Sequence, residues 1–87
     1  MKKEYYDRIE YTNEKGQLHR LDGPTHSWKS GSSDSWWING KPHRETGPAI
    51  ISNYERSEYY LEGIRYYNIE DFDKKLMEIK INRLIKL

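Results

Sequence analysis

Three histidines, His19, His26 and His43, have the widest chemical range in this chain, because an imidazole can ligate a metal ion or move a proton near neutral pH. A structural metal site wants about four donors, and the sequence has no cysteine and no His-x-x-x-His pair to gather them on one helix. The serine-rich stretch from Ser30 to Ser35, with Asp34 inside it, could hold a nucleophile and an acid. No G-x-S-x-G elbow and no G-x-x-x-x-G-K-S/T phosphate cradle accompanies it, so it reads as a solvated turn. Glu55, Glu58 and Glu62 could pair as carboxylates, but in a chain that is 33% charged, spread acids read as a solubility device. The expectation is therefore no catalytic residue, no metal site and no cofactor.

Two of the histidines sit in the same phrase. Gly16-Gln17-Leu18-His19-Arg20 leads to Asp22-Gly23-Pro24, and 24 residues later Gly40-Lys41-Pro42-His43-Arg44 leads to Thr46-Gly47-Pro48. Trp36-Trp37 with Gly40 recurs 23 residues on as Tyr59-Tyr60 with Gly63. A fixed period in this range marks a repeat architecture, in which each unit buries its apolar face against its neighbours. His-Arg then belongs to what each unit needs, a hydrogen-bonded turn stacked on the next. Gly23 and Gly47 are read as supplying a backbone conformation other residues resist, with Pro24 and Pro48 fixing the corner.

The elements follow from the turn signals at Asn13 to Gly16, Asp22 to Pro24, Ser30 to Ser32, Asn39 to Pro42, Thr46 to Pro48 and Asn53 to Arg56. Between them, Tyr5 to Tyr11, Thr25 to Lys29, Ser35 to Asn39, Ala49 to Ser52 and Ser57 to Glu62 read as strands of an antiparallel meander. Alternation puts Trp36, Ile38, Tyr59 and Leu61 on one face and Trp37 and Tyr60 on the other. After Gly63 the pattern turns helical. Asn68 is the expected N-cap, with Asp71 three residues on, and the helix is predicted over Ile69 to Lys86 with acids at its start and Lys80, Arg83 and Lys86 at its end. Ile69, Phe72, Leu76 and Ile79 form a face suited to capping the open end of the sheet. Met77, Ile81, Leu84 and Ile85 form a surplus apolar stripe and are the candidate oligomer interface, for a homodimer.

The phrase G-x-x-H-R-x-x-G-P, followed by a strand, a turn and a paired-aromatic strand, resembles the MORN-like hairpin repeats of small bacteriophage and other viral or bacterial proteins. Gly63-Ile64-Arg65-Tyr66-Tyr67 fills the last G-x-x-H-R slots, and Asn68-Ile69-Glu70-Asp71-Phe72 opens the helix, as the final unit of such proteins commonly does. The likeness covers roughly Tyr11 to Phe72 and implies a mainly β fold, two to three stacked hairpins capped by a C-terminal helix, in a single domain over residues 1–87. It implies a binding module, often phage-borne. Two departures are Thr46 in the place of Asp22, and a first hairpin with Trp28 and a loop one residue longer.

Composition narrows the partners. The chain of 87 residues is 34% hydrophobic and 14% aromatic, with three Trp and eight Tyr, so burial rests on a few rings and the core is expected to be thin. Fifteen basic and fourteen acidic residues give a net charge of +1, which removes the broad electrostatic term of general nucleic-acid binding. The opening residues carry no apolar export segment and no stretch suits a membrane span, so the expected setting is cytoplasmic, that of the host cell for a phage protein. If repeated residues are scaffold, the unrepeated ones and the outward member of each aromatic pair carry binding: Trp28, Trp37, Arg44, Tyr54, Arg56 and Tyr60. The competing expectation is that the helix folds over Trp37 and Tyr60 and buries them. The leading functional expectation is a non-catalytic module that occludes a host protein, such as a component of a bacterial defence system. The alternative is a trap that sequesters a nucleotide signal by stacking and Arg contacts; association with a lipid surface is disfavoured by the near-neutral charge.

Overall fold

Residues 1–86 are described by a computed structural model, which is mainly β with one C-terminal helix. Strands β1 (Lys2–Glu4), β2 (Arg8–Tyr11), β3 (His26–Trp28), β4 (Ser33–Ser35) and β7 (Ile50–Ser52) form an antiparallel sheet in the order β1-β2-β3-β4-β7. Two short hairpins stand beside it, β5 (Trp37–Ile38) with β6 (Lys41–Pro42), and β8 (Tyr59–Leu61) with β9 (Ile64–Tyr66). The molecule is a plate of about 43 × 32 × 16 Å, consistent with one layer of sheet covered in part by a helix.

Both hairpins close through two-residue turns that need positive φ twice in succession, because only that twist matches the twist of the flanking strands. Asn39 and Gly40 take φ of 49° and 79°, Glu62 and Gly63 of 53° and 85°. Asn and Gly tolerate this region, whereas Glu seldom enters it. The histidines hold these turns. The Asn39 backbone N–H donates to His19 Nδ1 at 3.0 Å, and the Glu62 N–H donates to His43 Nδ1 at 2.8 Å.

The sheet departs from the predicted strands in three ways. The tract from Ser30 to Ser35 is only half a loop, because Ser33–Ser35 pairs as β4 with both β3 and β7. Tyr5 to Tyr11 pairs only from Arg8, and Lys2–Glu4, absent from the sequence reading, closes the edge as β1. β6 and β9 are also additional strands, two and three residues long, below the length at which alternation becomes visible.

Helix α1 (Ile69–Ile85) ends one residue short of the predicted range, with Lys86 as its C-cap. Asn68 caps it as expected. Its side chain accepts from the Asp71 N–H at 2.9 Å and donates to the Asp71 carboxylate at 3.0 Å. Phe72 is the helix's buried residue, stacked edge-on against Tyr59 and Tyr66 with centroids 5.0 and 6.3 Å away. Ile69, expected on the same face, is half exposed, since it lies in the first turn before the helix meets the sheet. Fully covered apolar residues are few, Ala49, Leu61 and Phe72, and Thr25 is covered with them. Thr25 earns no solvation there: its hydroxyl donates to the Trp37 carbonyl at 3.1 Å and accepts the Trp37 N–H at 2.8 Å.

Candidate functional site

The two His-Arg corners superpose in their chemistry. The Arg20 guanidinium lies over the Tyr11 ring, 4.0 Å from its centroid, and donates to the Pro24 carbonyl at 3.0 Å. Arg44 lies over Trp36 at 3.7 Å and donates to the Pro48 carbonyl at 3.1 Å. Each guanidinium has an aromatic face on one side and a glycine on the other. A methyl group at Gly23 would lie 2.9 Å from Arg20 Cζ, and one at Gly47 3.4 Å from Arg44 Nη1. Neither glycine has positive φ, which corrects the sequence reading: at Gly23 a methyl group would crowd the stacked arginine, whereas at Gly47 it would make an ordinary contact. In the third unit the equivalent ring, Tyr59, is met by Phe72 instead of an arginine.

This geometry reassigns Arg44. Its guanidinium is engaged by Trp36 and the Pro48 carbonyl, so it holds the fold rather than projecting to a partner.

The outward aromatic residues gather on the opposite face. By register, Arg8 and Glu10 of β2 stand beside Trp28 and His26 of β3, and His26 beside Ser35 of β4. Trp37 is tied to this face by a 2.9 Å bond from its indole N–H to the Ser35 hydroxyl. Ile50 continues it opposite Ser35 and bridges to Glu58. The Tyr60 hydroxyl donates to Glu58 at 2.8 Å, a bond that, with burial, raises the phenol above its ordinary range and keeps it protonated. Arg65, opposite Tyr60, reaches Glu58 at 3.7 Å and lies over Tyr67 at 4.6 Å. Trp28, Trp37 and Tyr60 thus share one face, each partly exposed, while α1 packs against the Tyr59 and Tyr66 side. The helix does not fold over Trp37 and Tyr60.

Tyr54 and Arg56 lie apart from this face, in the exposed loop after β7. That loop is anchored to the β3–β4 tip by bonds from Asn53 to the Ser32 and Gly31 carbonyls at 3.0 and 3.2 Å. Tyr54 is 85% exposed. On α1, Met77, Ile81, Leu84 and Ile85 all point away from the sheet and are exposed.

Sequence reasoning missed one constellation. His43, buried, has Nδ1 occupied by the Glu62 N–H, so its neutral ring carries the proton on Nε2, 2.9 Å from the Glu45 carboxylate. Arg83 closes on the same carboxylate with both terminal nitrogens, Nη1 to Oε1 at 2.9 Å and Nη2 to Oε2. The Arg83 bond, and behind it that of His43, draws the Glu45 carboxyl down to about 2 against the cost of its burial. Glu45 and Arg83 are 38 residues apart, and no local pattern joins them.

An open groove of about 730 Å³ adjoins the first turn, between Asn13, Gln17, His19 and Asn39. It marks the start of the stack: a methyl group at Gly40 would touch Gln17 and one at Gly63 would touch Lys41, whereas one at Gly16 would meet nothing within 4 Å. Among the described residues no cluster of His, Asp and Glu is arranged to hold a metal ion, and no helix is long and apolar enough to cross a membrane. Compared with protein-family models, curated proteins and solved structures, the chain matches none.

Proposed function

We propose that the chain is a non-catalytic protein-binding module whose contact surface is the sheet face bearing Trp28, Trp37 and Tyr60. The observation that carries this reading is the side on which α1 packs: it lies against Tyr59 and Tyr66 and leaves Trp28 exposed and Trp37 and Tyr60 half-buried on the opposite face. Aromatic residues desolvated at the centre of a contact are the usual hot spots, and the Glu58–Arg65 pair beside Tyr60 offers a polar rim. On the resemblance to MORN-like hairpin repeats, the proposal extends to a setting in a host cell's cytoplasm and to inhibition by occluding a host protein such as a defence component.

The test is capture of binding partners from bacterial lysate by the tagged protein, with the eluate also heated to release small molecules. A stoichiometric polypeptide held by the native chain, with affinity lowered about 30-fold or more by Trp37→Ala with Tyr60→Ala, is the expected outcome. Retention of that polypeptide by the double variant removes the assigned face. A released nucleotide without a protein partner replaces occlusion by sequestration.

A further inference from the structure

The last hairpin presents an edge that every earlier hairpin uses to bind its successor. In the first unit the Leu18 carbonyl accepts the Gly40 N–H at 2.9 Å and the Arg20 N–H donates to the Trp37 carbonyl at 3.1 Å. In the second, the Pro42 carbonyl accepts the Gly63 N–H at 2.9 Å and the Arg44 N–H donates to the Tyr60 carbonyl at 3.2 Å. The corresponding groups of the third unit are the Arg65 carbonyl and the Tyr67 N–H. Arg65 stands opposite Tyr60, one step from the Leu61–Ile64 pair that closes the turn, so its backbone groups point away from β8. No described residue outside the hairpin bonds to them, and α1 passes beneath the sheet instead of along this edge.

The opposite end of the stack is closed. The Thr12 N–H donates to the Met1 carbonyl at 2.9 Å, and the Met1 ammonium donates to the Thr12 carbonyl. The outer strand there, Lys2-Lys3-Glu4, is charged and exposed, the usual protection of a free edge. The β9 edge has no such run. Its residues are Ile64, Arg65 and Tyr66, followed by Tyr67, which is 82% exposed and where the chain begins to bend toward α1.

We infer that β9 pairs, antiparallel and across a two-fold axis, with β9 of a second copy of this chain. Side chains select the register. With Arg65 opposite Arg65, like charges would face each other. Shifting by two residues sets Arg65 opposite the partner subunit's Tyr67 in a hydrogen-bonded pair, repeated by symmetry, and lays the guanidinium beside a tyrosine ring. The arrangement is compatible with these side chains, since Arg65 already lies 4.6 Å over the Tyr67 ring of its own chain. The two aromatic faces then join into one continuous surface. This edge, not the Met77-Ile81-Leu84-Ile85 stripe, is the self-association site, and it stands independently of the proposed protein partner.

The test is sedimentation equilibrium of the native chain and of Arg65→Pro over a wide concentration range. Proline is accommodated at this position of the hairpin, because Pro42 occupies it in the preceding unit; in Arg65→Pro the outward N–H is gone and the fold stays. A short edge gives a weak dimer, whose dissociation constant Arg65→Pro should raise about tenfold or more, while Ile81→Glu with Leu84→Glu leaves it unchanged. Amide exchange supplies a readout without substitution: the Arg65 and Tyr67 N–H groups become protected as concentration rises. A native chain that stays monomeric, a dimer indifferent to Arg65→Pro, amides without concentration-dependent protection, or dissociation by the helix variant each overturns the inference.

Discussion

The corners at His19-Arg20 and His43-Arg44 share spacing, stacking and hydrogen bonds, yet they are tied to their surroundings by different residues. At the first, Leu21 is 79% exposed and Asp22 holds Arg20 through a 3.0 Å ion pair. At the second, Thr46 replaces Asp22, and Glu45 in the place of Leu21 ties His43 to Arg83 of α1. His43 is buried, whereas His19 is half exposed beside the open groove. Repeated residues therefore build the corner, and unrepeated neighbours decide what it is fastened to: itself at the start of the stack, the capping helix at its end.

The comparison breaks most strongly at the histidines. His43→Ala should cost about 2–3 kcal/mol, because it empties the site of a buried ring and takes the partner from the part-buried Glu62 N–H of a strained turn, and His19→Ala nearer ~1 kcal/mol, because water can reach the Asn39 N–H. Equal losses in chemical denaturation would show that the two corners are equivalent. A smaller effect comes from Glu45→Leu, which rebuilds the first corner's sequence in the second. The pair is bidentate, but Arg83 is 59% exposed, so solvent screening holds the loss to about 1 kcal/mol or less at neutral pH.

Its pH signature is more telling than its size. Because the folded state lowers the Glu45 carboxyl from 4.5 to about 2, its contribution is fully present above 4.5 and disappears as pH falls toward 2. Melting curves of native and Glu45→Leu proteins should therefore converge across that window; a constant gap would mean that the ionised clamp contributes nothing. The smallest expected change is Asp22→Thr, which makes the first corner resemble the second. Asp22 is 85% exposed in its side chain, and the loss should be about 0.5 kcal/mol or less and diminish with added salt.

Much of the architecture was legible because its causes are local. The period of the His-Arg phrase announced the stack, alternation separated Trp36 from Trp37 and Tyr59 from Tyr60, and Asn68 with Asp71 marked the helix start. The glycines of Gly23-Pro24 and Gly47-Pro48 were recognised for the wrong reason, since only the folded chain brings a guanidinium against them. Strands of two or three residues carried too little pattern to be seen, and the serines of β4 do not resemble a strand until β3 and β7 flank them. Among the candidate binding residues, Trp28, Trp37 and Tyr60 converge on one face, Tyr54 and Arg56 go to a separate loop, and Arg44 turns inward.

By itself the sequence determined the repeat, its turns, the alternation of its aromatic residues and the ends of its helix, because each depends on neighbours within a few residues or on one constant period. Tertiary structure alone decided which face α1 covers, that Glu45 joins His43 to Arg83, and that the stack is closed at Met1 and open at β9. Those outcomes depend on register and docking between segments far apart in the chain, where the competing arrangements share the same local preferences and differ only in which groups meet.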